Sequence, residues 1–99
     1  MTNADPEARA ITKSFLARAS RPVKRSFSIR GHRTSISLES AFWDALVEIA
    51  GQRQMPLVQV VASVDEARGD AGLSGSVRIF ILSHYRQQAQ LAMSTCSVS

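Results

Sequence analysis

Little in this chain supports a cross-linked, metal-bound or membrane-embedded protein. Its 99 residues hold one cysteine, Cys96. A lone thiol cannot close an intrachain disulfide, and no metal-ligand companions flank it. The two histidines, His32 and His84, lie far apart, so with Cys96 they do not spell a metal site. The longest apolar run is Ile79-Phe80-Ile81-Leu82, against the roughly 20 apolar residues that a membrane-spanning helix needs. The first 25 residues are punctuated by charge and contain no apolar core of a signal peptide. Also missing are a phosphate-binding glycine loop and a nucleophile–base pair. Ser26, Ser28, Ser35 and Ser37 have no base placed to activate them. These absences predict a protein without catalytic residues, cofactor, metal or membrane attachment, with the cytoplasm as its compartment.

What is present is an uneven charge. Residues 1–34 carry eight Lys/Arg against Asp5 and Glu7, a net of +6, and residues 35–99 carry four Arg against six acids, a net of −2. A basic N-terminal third on a slightly acidic body is a directional electrostatic footprint, and nucleic acid is the partner it fits best. With 44% hydrophobic residues the chain can build one small core, but a thin one. Thin-cored chains of this length often complete themselves by dimerising.

The richest stretch is residues 24–49, KRSFSIRGHRTSISLESAFWDALVEI. Phe27 and Ile29, then Ile36 and Leu38, alternate with Ser26, Ser28, Arg30, Arg33, Ser35 and Ser37. Period two predicts strands with one apolar face and one cationic, hydroxyl-bearing face. A two-stranded ribbon of this kind fits the DNA major groove, where side chains reach base edges. If Gly31-His32 is a two-residue type II′ loop, Arg30 faces Arg33, Ser28 faces Ser35, Phe27 faces Ile36 and Ser26 faces Ser37. The opposed arginines would repel in isolation, and a polyanion would relieve them. The bland alternative is a plain solvated hairpin face. Pairing of a single strand between two chains is also open.

Along the chain, residues 1–22 read as a basic arm, with a short helix over 7–19 that ends at Arg21-Pro22. A helix is expected from about residue 39 or 40 to 52. Phe42, Leu46 and Ile49 form its apolar stripe, and Trp43, Val47 and Ala50 widen it. Trp43 is expected in core or dimer packing. Met55-Pro56 restarts the chain into a second helix over 57–68, with Leu57, Val60, Val61 and Val64 on one face. Ser74 caps a third helix to about residue 90, with Val77, Phe80, Ile81, His84 and Tyr85 on one face. Its centre is apolar nearly all round, which suits a helix crossing a dimer core. His84 is expected as a satisfied core histidine. The expected domains are the arm 1–22, the folded unit 23–90 and a frayed tail 91–99.

The order ribbon, helix, turn, helix resembles the ribbon-helix-helix family of DNA-binding proteins. Ile36-Ser37-Leu38-Glu39-Ser40 followed by residues 42–50 carries the likeness. Arg25-Ser26-Phe27-Ser28-Ile29, Gly31-His32-Arg33-Thr34-Ser35, Phe42-Trp43 and Leu73-Ser74-Gly75-Ser76-Val77-Arg78 are similar to a subgroup of short bacterial members. The resemblance covers roughly residues 24–88. It implies a mostly α fold with a short β-ribbon, as a ribbon-helix-helix homodimer, to which this chain adds a strand or hairpin in front and an extra C-terminal helix that are not part of the minimal family fold. It implies double-stranded DNA as partner and a transcriptional regulator at the nucleoid. Residues Arg33, Ser35 and Ser37 would read bases. Lys24, Arg25, Ser26, Ser28, Arg30 and His32 would support them. Phosphate would lie at the second helix's start, by Met55, Pro56, Leu57 and Val58, with Pro56 where the family usually has a Ser or Thr cap. The alternative function is a protein-interaction module, such as an antitoxin or adaptor, that uses the third helix and tails.

Overall fold

The computed structural model describes residues 12–98, with side chains to Met93. Helix α1 (Lys13–Ala19) leads into strands β1 (Pro22–Ile29) and β2 (His32–Glu39). Helices α2 (Ser40–Arg53), α3 (Leu57–Ala67) and α4 (Leu73–Val98) follow. Of the arm helix expected over 7–19, residues 7–11 lie outside the described region. Thr12 caps the remainder, its Oγ1 accepting from the Phe15 amide at 3.1 Å.

The two strands form an antiparallel hairpin within one chain, with Phe27 opposite Thr34, Ser26 opposite Ser35 and Ser28 opposite Arg33. This corrects the expected register. The loop is Arg30-Gly31, with φ of 51° and 79°. Two successive positive φ values define a type I′ turn, whose twist matches that of the flanking strands and which favours glycine at its second position. Moving the turn back one residue shifts the pairing by two. A shift of two preserves the faces, whereas a slip of one would invert them. The expected opposition of Arg30 and Arg33 disappears.

Ile29, Ile36 and Leu38 lie on the inner face of the hairpin and are buried, joined by Val23 and Phe27 at the edge of the core. The Trp43 indole N–H donates to the Val23 carbonyl at 2.8 Å, which satisfies the ring's polar atom as it enters the core. Trp43, Leu46, Ile49 and Ala50 are the buried residues of α2. Val47 is exposed and Phe42 half-buried, so the inward stripe is rotated from the expected one toward Trp43. Gln54 ends α2 in the left-handed region, its N–H directed to the carbonyls of Ala50 and Gly51. Val60, Val61 and Val64 face inward from α3.

Helix α4 starts at Leu73, one residue before the expected Ser74 cap, and continues past residue 90 to Val98. Among its described side chains, Val77, Ile81 and His84 are buried, all in its first half. From Arg86 to Met93 every side chain is exposed. The helix therefore projects as a spur, in keeping with the molecule's 54 × 38 × 24 Å extents.

Candidate nucleic-acid interface

Alternation along the hairpin sends six side chains to the face away from the helices. They are Lys24, Ser26 and Ser28 from β1 and Arg33, Ser35 and Ser37 from β2, all exposed. They stand opposed as Lys24–Ser37, Ser26–Ser35 and Ser28–Arg33. The Ser26 and Ser35 hydroxyls are 3.1 Å apart. No carboxylate lies among the six. The nearest along the strand, Glu39, is held by Arg78 of α4 at 3.0 and 3.3 Å. The Arg78 hydrogen bond keeps the Glu39 carboxyl below its usual range. The face thus offers two cations and four hydroxyls to a ligand and no competing anion.

The other residues expected to support this face are elsewhere. Arg25 and His32 belong to the opposite parity of the hairpin. Arg25 lies over the Trp43 ring at 5.2 Å. Arg30 sits in the turn and reaches back to α3, 3.2 Å from Asp65 and 4.0 Å from Glu66. Asp65 also accepts from Arg68 at 2.7 Å, and these two guanidiniums, Arg68 first, hold its carboxyl below the ordinary range. Lys24 and Arg33 are the ribbon cations without an acidic or aromatic partner among the described residues.

Pro56 is the N-cap of α3, with φ −61° and ψ 148° and no side-chain cap bond. Its carbonyl accepts from the Gln59 and Val60 amides at 3.0 and 3.2 Å. The Met55 amide is taken by the Ala50 carbonyl at 3.0 Å. Pro56 itself has no N–H. What this terminus can offer an anion is therefore the amides of Leu57 and Val58.

One feature was not legible from side-chain pattern alone. The Ser40 amide donates to the Arg21 carbonyl at 2.9 Å, one step beyond the Pro22–Glu39 pair. Together with the turn's closing pair, Ile29–His32, this sets which pairs exchange hydrogen bonds. They are the odd positions of β1 with the even positions of β2. The backbone groups of Lys24, Ser26 and Ser28 therefore point outward along one edge, and those of Arg33, Ser35 and Ser37 along the other. The β1 edge begins with Pro22 and carries Lys24, both features that deter strand addition, whereas the β2 edge has neither proline nor lysine.

Elsewhere, a shallow apolar hollow between α3 and α4 is lined by Val64, Ala67, Ile79 and Phe80. Among the described residues no group of His, Cys, Asp and Glu could hold a metal ion. Among the same residues no helix is long and apolar enough to cross a membrane.

Comparison with known proteins adds a match to a ribbon-helix-helix domain model over residues 22–85. The chain is also similar to the solved structure of an uncharacterized protein from Bordetella pertussis Tohama I. That similarity is 31% identity over 90% of this chain and 73% of the other, with a TM-score of 0.68. A search of curated proteins found no match.

Proposed function

The chain belongs to the ribbon-helix-helix family, and from that footing we propose that it is a bacterial transcriptional regulator that binds a specific DNA site as a homodimer. Members of the family are DNA-binding modules without catalytic activity, so the chain is a DNA-binding protein and not an enzyme. In the proposed dimer, the β2 strands of two copies pair antiparallel across a two-fold axis within the Ser35–Ser37 stretch. Antiparallel pairing of the outward odd positions satisfies the backbone groups of Arg33, Ser35 and Ser37 in both chains. It also brings both copies of those side chains to one face. Arg33 can contact guanine in a bidentate fashion, and Ser35 and Ser37 can donate to or accept from several base edges. The Leu57 and Val58 amides would hold a phosphate that fixes the register of the protein on the duplex. The cytoplasmic nucleoid is the compartment in which such a protein works.

The observation that carries this reading is the six-residue outer face of the hairpin, exposed and free of carboxylates. Selection from random duplexes by the purified protein tests it. The expected product is a two-fold symmetric site bound with strong salt dependence. Failure to enrich any sequence would overturn sequence-specific recognition.

A second reading has its own observation. Ile79 and Leu82 are 66% and 56% exposed on α4, beside the hollow between α3 and α4. A protein partner seated there would make the chain an adaptor or antitoxin, and such a role can coexist with DNA binding. Co-purification from the native host of one partner that is lost with Ile79→Asp would favour it.

A further inference from the structure

We propose that β1 is a phosphate-binding wing: the outward edge of Lys24, Ser26 and Ser28 grips the DNA backbone at the rim of the groove and reads no base. The inference rests on the proposed pairing of β2 between two copies. Its starting point is a dimension. Strands in a sheet lie about 4.8 Å apart. Pairing β2 with its partner's β2 adds a hairpin on each side, giving four strands in the order β1-β2-β2-β1. The outer two are then about 14 Å apart, against a major groove about 12 Å wide. The central pair can enter the groove. The outer pair must stand over its walls, which are rows of phosphates.

The chemistry of the β1 edge suits that position. The hydrogen-bond alternation leaves the amides of Lys24, Ser26 and Ser28 directed away from β2, so three successive donors face outward. Their hydroxyl and ammonium side chains are exposed on the DNA-facing side. Lys24 has no acidic partner among the described residues, unlike Arg30, which is held by Asp65 and Glu66. Backbone N–H groups, hydroxyls and an ammonium are the donors that proteins direct at phosphate oxygens, and they carry no base information. Pro22 and Lys24 on this edge also oppose addition of a further protein strand. The ligand of the edge is therefore the phosphodiester backbone and not a third copy of the chain.

The test compares variants on the selected duplex and on random duplex at several salt concentrations. Lys24→Gln removes one cation per chain. It should lower affinity for both duplexes alike, by on the order of ten-fold at low salt. It should also flatten the slope of log affinity against log salt by about 1.8, two contacts per dimer. The selected sequence should stay unchanged. Ser28→Pro and Ser28→Ala both lose the hydroxyl, but only the proline loses the outward amide, which the hairpin ladder does not use. Ser28→Pro should bind more weakly than Ser28→Ala on both duplexes, with melting curves checking that the fold survives. Should the proline variant unfold, Lys24→Gln decides alone. A changed base preference in Lys24→Gln would overturn the wing, because β1 would then be inside the groove. Unchanged affinity and slope in Lys24→Gln, while Arg33→Ala loses sequence preference, would overturn the wing and leave the regulator reading standing. Absence of salt-dependent DNA binding by the wild type would overturn both.

Discussion

At the residue scale, Arg33 and His84 mark the two kinds of polar group in this fold, one unpartnered and aimed outward, one buried and satisfied. Arg33 is exposed on the outer ribbon face, opposite Ser28. Its replacement by alanine removes no core contact. We expect Arg33→Ala to keep the wild-type melting temperature, to cost about 1–3 kcal/mol of specific binding and to relax preference at one position per half-site. Titration of selected and mismatched duplexes measures this. Retained affinity and preference would mean that the ribbon is not the reading element. His84 accepts at Nδ1 from Arg53 at 3.3 Å and donates from Nε2 to Gln52 at 2.9 Å. A guanidinium has only donors, so Nδ1 must be the unprotonated nitrogen. Protonation would set a second N–H against Arg53. Burial first, and then Arg53, lowers the His84 pKa from its ordinary value. A histidine depressed in the folded state stabilises fully above its unfolded pKa of about 6.5. It loses that stability as pH falls below this value, because the unfolded chain takes up the proton first. The melting temperature should therefore fall between pH 7.5 and 5.5, and His84→Gln should flatten that fall. An equal fall in both proteins would remove His84 as the cause.

At the element scale, α2 and α4 close the core beneath the hairpin. Leu46 is fully buried, and its truncation leaves a cavity in the core cluster to which Ile36, Ile49 and Val61 also belong. Leu46→Ala should cost roughly 2–5 kcal/mol, comparable with the stability of a small domain. Phe80 is half-buried, under the Arg53 guanidinium at 5.1 Å and beside the open hollow. Phe80→Ala should cost less than Leu46→Ala, because part of the ring is already in water. Urea unfolding of both variants gives the order. Equal stability of Leu46→Ala and wild type would mean that Leu46 does not face the core. The hairpin also depends on one element beyond its own strands. Arg30 adopts a φ of 51°, an uncommon conformation for a residue with a side chain, while its guanidinium is tied to Asp65 on α3. The turn is thus anchored to the helices and not only to the strands.

At the scale of the whole molecule, two surfaces among the described residues suit a protein partner. One is the β2 edge, with three outward backbone pairs at Arg33, Ser35 and Ser37. The other is the outer side of α4, where Ile79 and Leu82 are exposed. Pairing through the first makes the proposed dimer, and the second can add to it only if the two-fold axis brings these faces of α4 together. Sedimentation equilibrium at micromolar concentration should give twice the 10.8 kDa chain mass. A well-folded monomer there would sink the β2-to-β2 dimer, and with it the four-stranded sheet.

The amino-acid sequence alone determined the order of the elements and the two faces of the hairpin, but not the full inward stripe of α2 or the length of α4. Period two in residues 24–38 places Lys24, Ser26, Ser28, Arg33, Ser35 and Ser37 on one side, whichever even shift the register takes, because parity survives a shift of two. Helical spacing likewise exposed the burial of Val60, Val61, Val77 and Ile81 and the satisfied state of His84. The short-range pattern could not choose between a Gly31-His32 and an Arg30-Gly31 turn. Both place Gly31 at positive φ, and the reach of Arg30 to Asp65 joins positions 35 residues apart. For Arg25 and His32 the parity was in the sequence but their residue types obscured it. They are charged or polar by composition, yet parity assigns them to the inner side of the hairpin, and the long-range packing of Trp43 beneath Arg25 makes that place tolerable. Which backbone groups point outward from each strand edge was decided by tertiary structure alone, because backbone hydrogen bonds follow from register and register follows from contacts distant in the chain.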